Sequence, residues 1–159
     1  MGNQKIKVLL LLVAVSLMLG FGKTAMASEI VLNDLNGQVV KLSNFKGKPV
    51  ILFFWTTWCP YCRQEIKKLN QQYAVMSKEG IVVFGVNVSE PGAKVERFFK
   101  DYQLNLKILL DKDGALADKY ELMGVPTYIF LDKTGEMILQ THNLPDNYKE
   151  LLFKRAAGK

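Results

Sequence analysis

From residue 30 onward, two kinds of hydrophobic spacing alternate along this chain, and their order predicts a sheet with helices packed on its faces. Val50 to Trp55 is a continuous apolar and aromatic run that follows Pro49, and Ile81 to Val88 is a second such segment. Runs of this kind suit central strands buried on both faces. Between them the period changes. Cys62, Ile66, Leu69, Tyr73 and Met76 recur at offsets of four, three, four and three, the stripe of a helix that should end near Gly80. Pro91 to Tyr102 reads as another helix, with Val95, Phe98, Phe99 and Tyr102 on one side. Leu106 to Leu110 reads as a short strand, Asp113-Gly114 breaks the chain, and Leu116 to Tyr120 fits a short helix.

The two ends of this region carry hairpin patterns. Ile30 to Leu32 and Gln38 to Lys41 flank Asn36-Gly37, a strong turn signal, and Leu42 to Lys48 reads as a loop. Thr127 to Leu131 and Glu136 to Gln140 form a second hairpin across Asp132 to Gly135, and Pro145 to Arg155 reads as a last amphipathic helix. The order β-β-β-α-β-α-β-α-β-β-α indicates an α/β domain over residues 28–159, a mixed central sheet flanked by helices with an N-terminal β-hairpin added. One domain of this kind suits a chain of 159 residues.

Residues 1–27 follow a different pattern. Lys5 and Lys7 form a basic start, Val8 to Leu19 is an apolar run broken only by Ser16, and Gly20 and Gly22 loosen it. Ala25-Met26-Ala27 then gives the small-x-small pattern of a cleavage site before Ser28, so the segment reads as an export signal. The apolar run falls short of the roughly 20 residues a spanning helix needs, although an uncleaved anchor is the competing reading. With either outcome the domain works outside the cytoplasm, periplasmic or secreted, and membrane-anchored if the leader is retained. Lys5, Lys7 and Lys23 lie in this leader, which has no acid, so half of the formal charge of +6 belongs to it. What remains is modest and shows no dense Lys/Arg block, which argues against nucleic-acid binding.

Only two cysteines exist, and both lie in Trp58-Cys59-Pro60-Tyr61-Cys62. Any redox chemistry must therefore occur within this pair. A three-residue offset at the start of a helix brings the two side chains together on neighbouring turns, where they can close a ring reversibly. C-x-x-C is also half of a zinc site, but two further Cys or His ligands are needed and the chain offers only His142. A purely structural disulfide is the third reading, and closing so short a loop gains little. In an oxidising compartment a thiol pair has to be kept reduced by a partner or be used as an oxidant.

Context favours the redox reading. Phe54-Trp55-Thr56-Thr57-Trp58-Cys59-Pro60-Tyr61-Cys62 follows a buried strand and is continued by Glu65; Val86-Asn87-Val88 closes the next strand, and Gly124-Val125-Pro126-Thr127 precedes the terminal hairpin. In this order and context the chain resembles the thioredoxin superfamily, and within it the exported TlpA/ResA-like branch, from about Ile30 to Phe153. The resemblance implies a thioredoxin fold, a thiol-disulfide oxidoreductase of the disulfide-reducing or exchanging type, and a cis peptide at Pro126. It also implies disulfide-bearing protein partners and a membrane thiol reductant of the DsbD/CcdA type. Members of this branch often deliver electrons to oxidised cysteines of apocytochrome c before haem attachment, which places cytochrome c maturation among the implied roles. No cofactor, no metal ion and no nucleic-acid partner is expected, and a monomer is.

Roles follow residue by residue. Cys59 sits at the helix start, where unpaired N–H groups and the helix dipole favour an anion, so it should be the exposed attacking thiolate. Pro60 fits the first turn because its missing N–H costs no helix bond there. Cys62, one turn deeper on the apolar stripe, should be the resolving thiol. Trp58 either covers one side of the site or packs in the core. Tyr61 joins the substrate-facing dipeptide; a Tyr there is familiar from glutaredoxins, but glutathione specificity does not follow. By the resemblance, Val125 offers backbone groups to an extended partner segment beside cis Pro126.

Glu65 lies at the edge of the buried stripe. Spacing alone leaves two readings, a surface carboxylate paired with Lys68 or an acid of the site. The resemblance selects the second: thioredoxins carry a buried Asp six residues before the first Cys, here Phe53, whereas this branch places a Glu three residues after the second. Partly buried, Glu65 would have a raised pKa and exchange the proton of Cys62. Two other functions compete with this one. A peroxiredoxin-type thiol peroxidase shares the fold, but its pattern calls for proline where Trp55 stands. A non-enzymatic copper carrier would pair the cysteines with His142, though the usual cysteine spacing is one residue wider and a surface-loop histidine is the plainer reading.

Overall fold

The structure is a computed structural model, and it describes residues 29–154. The predicted leader and Arg155 lie outside the described residues. Strand β3 (Val50–Trp55) is the spine, with all six residues buried. It pairs in parallel with β4 (Val82–Val88) and antiparallel with β6 (Thr127–Leu131). On the far side of β4 comes β5 (Lys107–Asp111), also parallel. The hairpin of β1 (Val31–Asp34) and β2 (Val39–Lys41) extends the sheet by pairing β1 antiparallel to β5. At the opposite edge β7 (Met137–Thr141) pairs with β6, with a register irregularity between Phe130 and Leu131. The seven strands run in the order β2-β1-β5-β4-β3-β6-β7.

Side-chain alternation along β3 explains why its sequence is apolar throughout. Ile51, Phe53 and Trp55 join one core cluster; Val50, Leu52 and Phe54 join another on the opposite face. The first cluster is covered by α1 (Pro60–Lys78), α2 (Gly92–Asp101) and α4 (Tyr148–Lys154), through Ile66, Leu69, Met76, Val95, Phe98, Tyr148 and Leu152. The second is covered by α3 (Ala115–Lys119), through Leu116, and by the segment that follows β2. Each of these large side chains contributes about 1.5–3 kcal/mol when fully buried. Gly85 sits in β4 because an added Cβ would meet the Ile108 side chain at 2.7 Å and the Trp55 indole at 3.2 Å.

Beyond shifts of one or two residues at element ends, two features differ from expectation. The predicted loop after β2 contains a 3₁₀ turn at Leu42–Phe45, fixed because Leu42 and Phe45 pack on the second cluster, with the Phe45 ring 5.1 Å from that of Phe84. In the first hairpin Gly37 takes φ 76, and the Asp34 carboxylate accepts the amides of Asn36 and Gln38, each at 2.9 Å. Helix α4 begins at Tyr148 instead of Pro145, after a turn closed by Tyr148 N–H donating to the Pro145 carbonyl at 3.2 Å.

Candidate active site

The site forms where β3 hands the chain to α1. Cys59 is the residue that caps the helix: its backbone is extended, Pro60 occupies the first helical turn, and its sulfur accepts the amide of Cys62 at 3.3 Å. A sulfur so placed meets an otherwise unpaired helix N–H at the positive end of the dipole. Both thiols are free. Cys62 has no exposed surface and belongs to the first core cluster. Burial, reinforced by the adjacent Cys59 sulfur, pushes its thiol up to about 12. The pair is thus asymmetric, with one sulfur served by helix donors and the other held protonated by the core.

Across from the pair, the Val125–Pro126 bond is cis, and the Cys59 thiol points to the Val125 carbonyl at 3.7 Å. The turn is closed by Thr127, whose hydroxyl donates to the Gly124 carbonyl at 2.7 Å. His142 Nδ1 lies 2.8 Å from the Pro126 carbonyl oxygen. A carbonyl only accepts, so this nitrogen carries the proton. Next to the cysteines and the cis turn in sequence, Trp58 is 63% exposed, Tyr61 71% and Met123 93%.

Three residues further along α1 stands Glu65, which is 8% exposed. Lys68 Nζ lies 2.7 Å from Oε1, while the Tyr128 hydroxyl donates to Oε2 at 3.2 Å and the Leu144 amide at 3.4 Å. Tyr128, on β6, is fully buried with its ring 4.6 Å from that of Phe53. Its hydroxyl is pushed far above the ordinary tyrosine range, first by burial, then by the Glu65 charge and its hydrogen bond, and also by Cys62. Tyr128 therefore feels both the carboxylate and the inner thiol.

On the Cys59 side lies a second carboxylate, Glu90, in the segment after β4. Oε2 accepts the Thr57 amide at 2.6 Å and Asn87 Nδ2 at 2.8 Å; Oε1 accepts the Thr57 hydroxyl at 2.7 Å and pairs with Lys94 at 2.7 Å. Burial works to raise its pKa, but the bonds from Lys94, Thr57 and Asn87 outweigh it and hold the carboxyl below the usual range. Asn87 Nδ2 also reaches the Trp55 carbonyl at 3.4 Å, and Arg63 Nε donates to the Thr57 carbonyl at 2.8 Å.

Comparison with known proteins identifies the family and the fold. The family model described as the AhpC/TSA family matches residues 24–140. The chain belongs to the AhpC/TSA family, a domain of the thioredoxin superfamily. It is 37% identical over 111 residues to the thiol-disulfide oxidoreductase ResA of Geobacillus kaustophilus, a match covering 70% of this chain and 64% of that protein. To the ResA of Halalkalibacterium halodurans it is 32% identical over 131 residues, covering 79% of this chain and 74% of the relative. The crystal structure of StoA from Bacillus subtilis superposes with a TM-score of 0.69 at 27% identity, over 80% of this chain and 98% of that one.

Set on this AhpC/TSA-family frame, the residues expected from sequence gather in one place, with one correction. Cys59, Cys62, Pro60, Val125 and Pro126 meet at the start of α1, and Trp58 and Tyr61 face solvent. The correction concerns Cys59, expected to be exposed: only 5% of its surface is, because its sulfur turns inward onto the Cys62 amide and the Val125 carbonyl. For Glu65 the pairing with Lys68 is present through one oxygen, but the side chain is buried and its other oxygen accepts from Tyr128. His142 is exposed, as a surface-loop histidine should be, but it also braces the cis turn. Sequence reasoning missed Tyr128, Thr57, Asn87 and Glu90. Tyr128 was detectable as a polar-tipped residue in the buried run Thr127 to Leu131; the other three carry no periodic signal. Among the described residues no cluster of three or more Cys, His, Asp or Glu could hold a metal, and no helix is long and apolar enough to cross a membrane.

Proposed function

We propose that this chain is an exported thiol-disulfide oxidoreductase that reduces or exchanges disulfides of partner proteins through Cys59 and Cys62. The observation that carries the reading is the asymmetry of the pair: Cys59 caps α1 beside the Val125 carbonyl, and Cys62 is buried with its thiol pushed up to about 12. Cys59 attacks as thiolate on one sulfur of a partner disulfide. That bond breaks, a Cys59–partner disulfide forms, and the other partner sulfur leaves as a thiolate. Cys62 then gives up its proton, with Glu65 as the acceptor, and attacks Cys59. The internal disulfide forms, the second partner sulfur is released, and two electrons have passed to the partner.

Val125 offers its backbone to an extended partner segment, in the manner of strand addition, with the Trp58 and Tyr61 surfaces alongside. The leader of residues 1–27 directs the domain out of the cytoplasm, cleaved after Ala27. There a membrane thiol reductant of the DsbD/CcdA type restores the dithiol, and apocytochrome c is one partner class. The test is capture of mixed disulfides on Cys62→Ser, together with insulin reduction by the wild type. Partner proteins held through Cys59, and turnover lost in both single cysteine variants, support the reading. Rapid consumption of peroxide without insulin reduction would establish the thiol peroxidase instead, and stoichiometric copper on the reduced protein would establish the carrier.

A further inference from the structure

We infer that Glu90 is a positioning residue for Cys59: acting through Thr57, it fixes the turn between β3 and α1 that keeps the Cys59 sulfur on the Cys62 amide. The inference rests on the exchange reading only in giving Cys59 its role; the geometry stands by itself. Glu90 receives four donors on two oxygens, at 2.6 to 2.8 Å, while only 6% exposed. A carboxylate only accepts, so all four match it. An amide of the same shape loses partners in both orientations, although the Thr57 hydroxyl, unlike the three nitrogen donors, can turn and accept. Its NH2 would face either the Thr57 amide with Asn87 or the Thr57 hydroxyl with Lys94.

Thr57 is the pivot. Its amide and hydroxyl are bound by Glu90, and its carbonyl is bound by Arg63 in the first turns of α1. The turn is therefore tied to the segment after β4 on one side and to the helix on the other. Asn87 adds a second tie, from Glu90 to the last carbonyl of β3 at Trp55. Two residues beyond Thr57 the chain must deliver the Cys59 sulfur to a single amide at 3.3 Å. With Glu90 removed, none of the described side-chain bonds on the β4 side holds Thr57, and the sulfur loses its fixed distance to the Cys62 amide.

The test measures iodoacetamide alkylation of Cys59 in the reduced full-length chain between pH 5 and 9. Glu90→Gln should slow alkylation near neutral pH by about 10-fold and move its pH midpoint upward, a modest share of what a 1 Å misplacement can cost. Thr57→Val, which removes the hydroxyl bond and keeps the amide bond, should slow it by about 3-fold, a smaller share of the same misplacement cost. In Glu90→Gln/Thr57→Val the effects should combine to less than their product, because both act through one residue. A lowered melting temperature with wild-type alkylation rate and midpoint in Glu90→Gln overturns the inference and leaves Glu90 a stabilising group. If Glu90→Gln does not fold, wild-type alkylation in Thr57→Val overturns it equally. Iodoacetamide needs no partner protein, so a wild type that alkylates normally yet reduces no disulfide counts against the proposed function and not against the positioning.

Discussion

Glu65 and Glu90 are both nearly buried, and each has a lysine nitrogen 2.7 Å away. Beyond that ion pair the two carboxylates part. Glu90 is saturated by short bonds from Thr57 and Asn87, and its pKa is held below the usual range. Glu65 has longer ones, 3.2 Å from Tyr128 and 3.4 Å from the Leu144 amide. The saturated carboxylate has every reason to stay ionised and still. The loosely held one lies beside Tyr128 and three residues beyond the inner thiol on α1, where a proton has to be exchanged during resolution. In the proposed scheme the two side chains divide the labour: Glu90 positions Cys59, and Glu65 takes the proton that Cys62 releases.

The largest expected effect separates the two directly. Glu65→Gln should slow disulfide exchange by about 10-fold to 100-fold, at or below the usual general-base range, and shift its pH profile. Alkylation of Cys59 should be unchanged, because Cys59 does not contact Glu65. Stopped-flow exchange with a model protein disulfide across pH 5 to 9 checks this. Wild-type exchange would reduce Glu65 to a helix-surface charge.

Next comes Tyr128→Phe, which removes one donor from Glu65 without changing the ring. Exchange should slow by less than in Glu65→Gln, and stability should fall by about 1 kcal/mol, the usual net worth of one hydrogen bond. Urea unfolding beside the same exchange assay reads both quantities. An exchange loss as large as that of Glu65→Gln would make Tyr128 the main proton handler and Glu65 its support.

The pH dependence of stability opposes the two sides of the site. Glu90 has a lowered pKa, so the stability it contributes is present above the ordinary carboxyl value and is lost as pH falls through the depressed one. Cys62 is a thiol raised from 9.0 to about 12. Above the lower value the unfolded chain sheds a proton that the native chain keeps, so reduced protein should lose stability as pH rises through this window. Chemical denaturation at stepped pH should show an acid limb that is shallower in Glu90→Gln and an alkaline limb that loses its lower part in Cys62→Ala, the remainder belonging to buried tyrosines such as Tyr128. The smallest effect is expected for Lys68→Met. Its nitrogen is the exposed partner of an ion pair, with the side chain 63% exposed, and exposed pairs contribute about 0–1 kcal/mol.

Which of these features could be read from sequence depends on their range along the chain. The stripe from Cys62 to Met76, the run Val50 to Trp55 and the order of strands and helices are local periodicities, and each produced its element. The cysteine pair, Pro126 and Glu65 lie in motifs whose resemblance supplied what spacing left open. Glu90 and Thr57 meet across a gap in sequence that no period spans, and nothing in Ser89-Glu90-Pro91 marks a buried acid. The 3₁₀ turn at Leu42–Phe45 was hidden for a related reason: Phe45 turns inward only because Phe84 waits for it on another strand. Exposure of Cys59 was overestimated because helix-start position says where a residue lies, not which way its sulfur turns.

The division of labour between the two thiols is tested most directly by brief alkylation of the fully reduced protein near neutral pH, followed by peptide mapping. The account predicts label on Cys59 while Cys62, with no exposed surface and its thiol pushed up to about 12, stays unmodified. Label appearing first on Cys62 would contradict it.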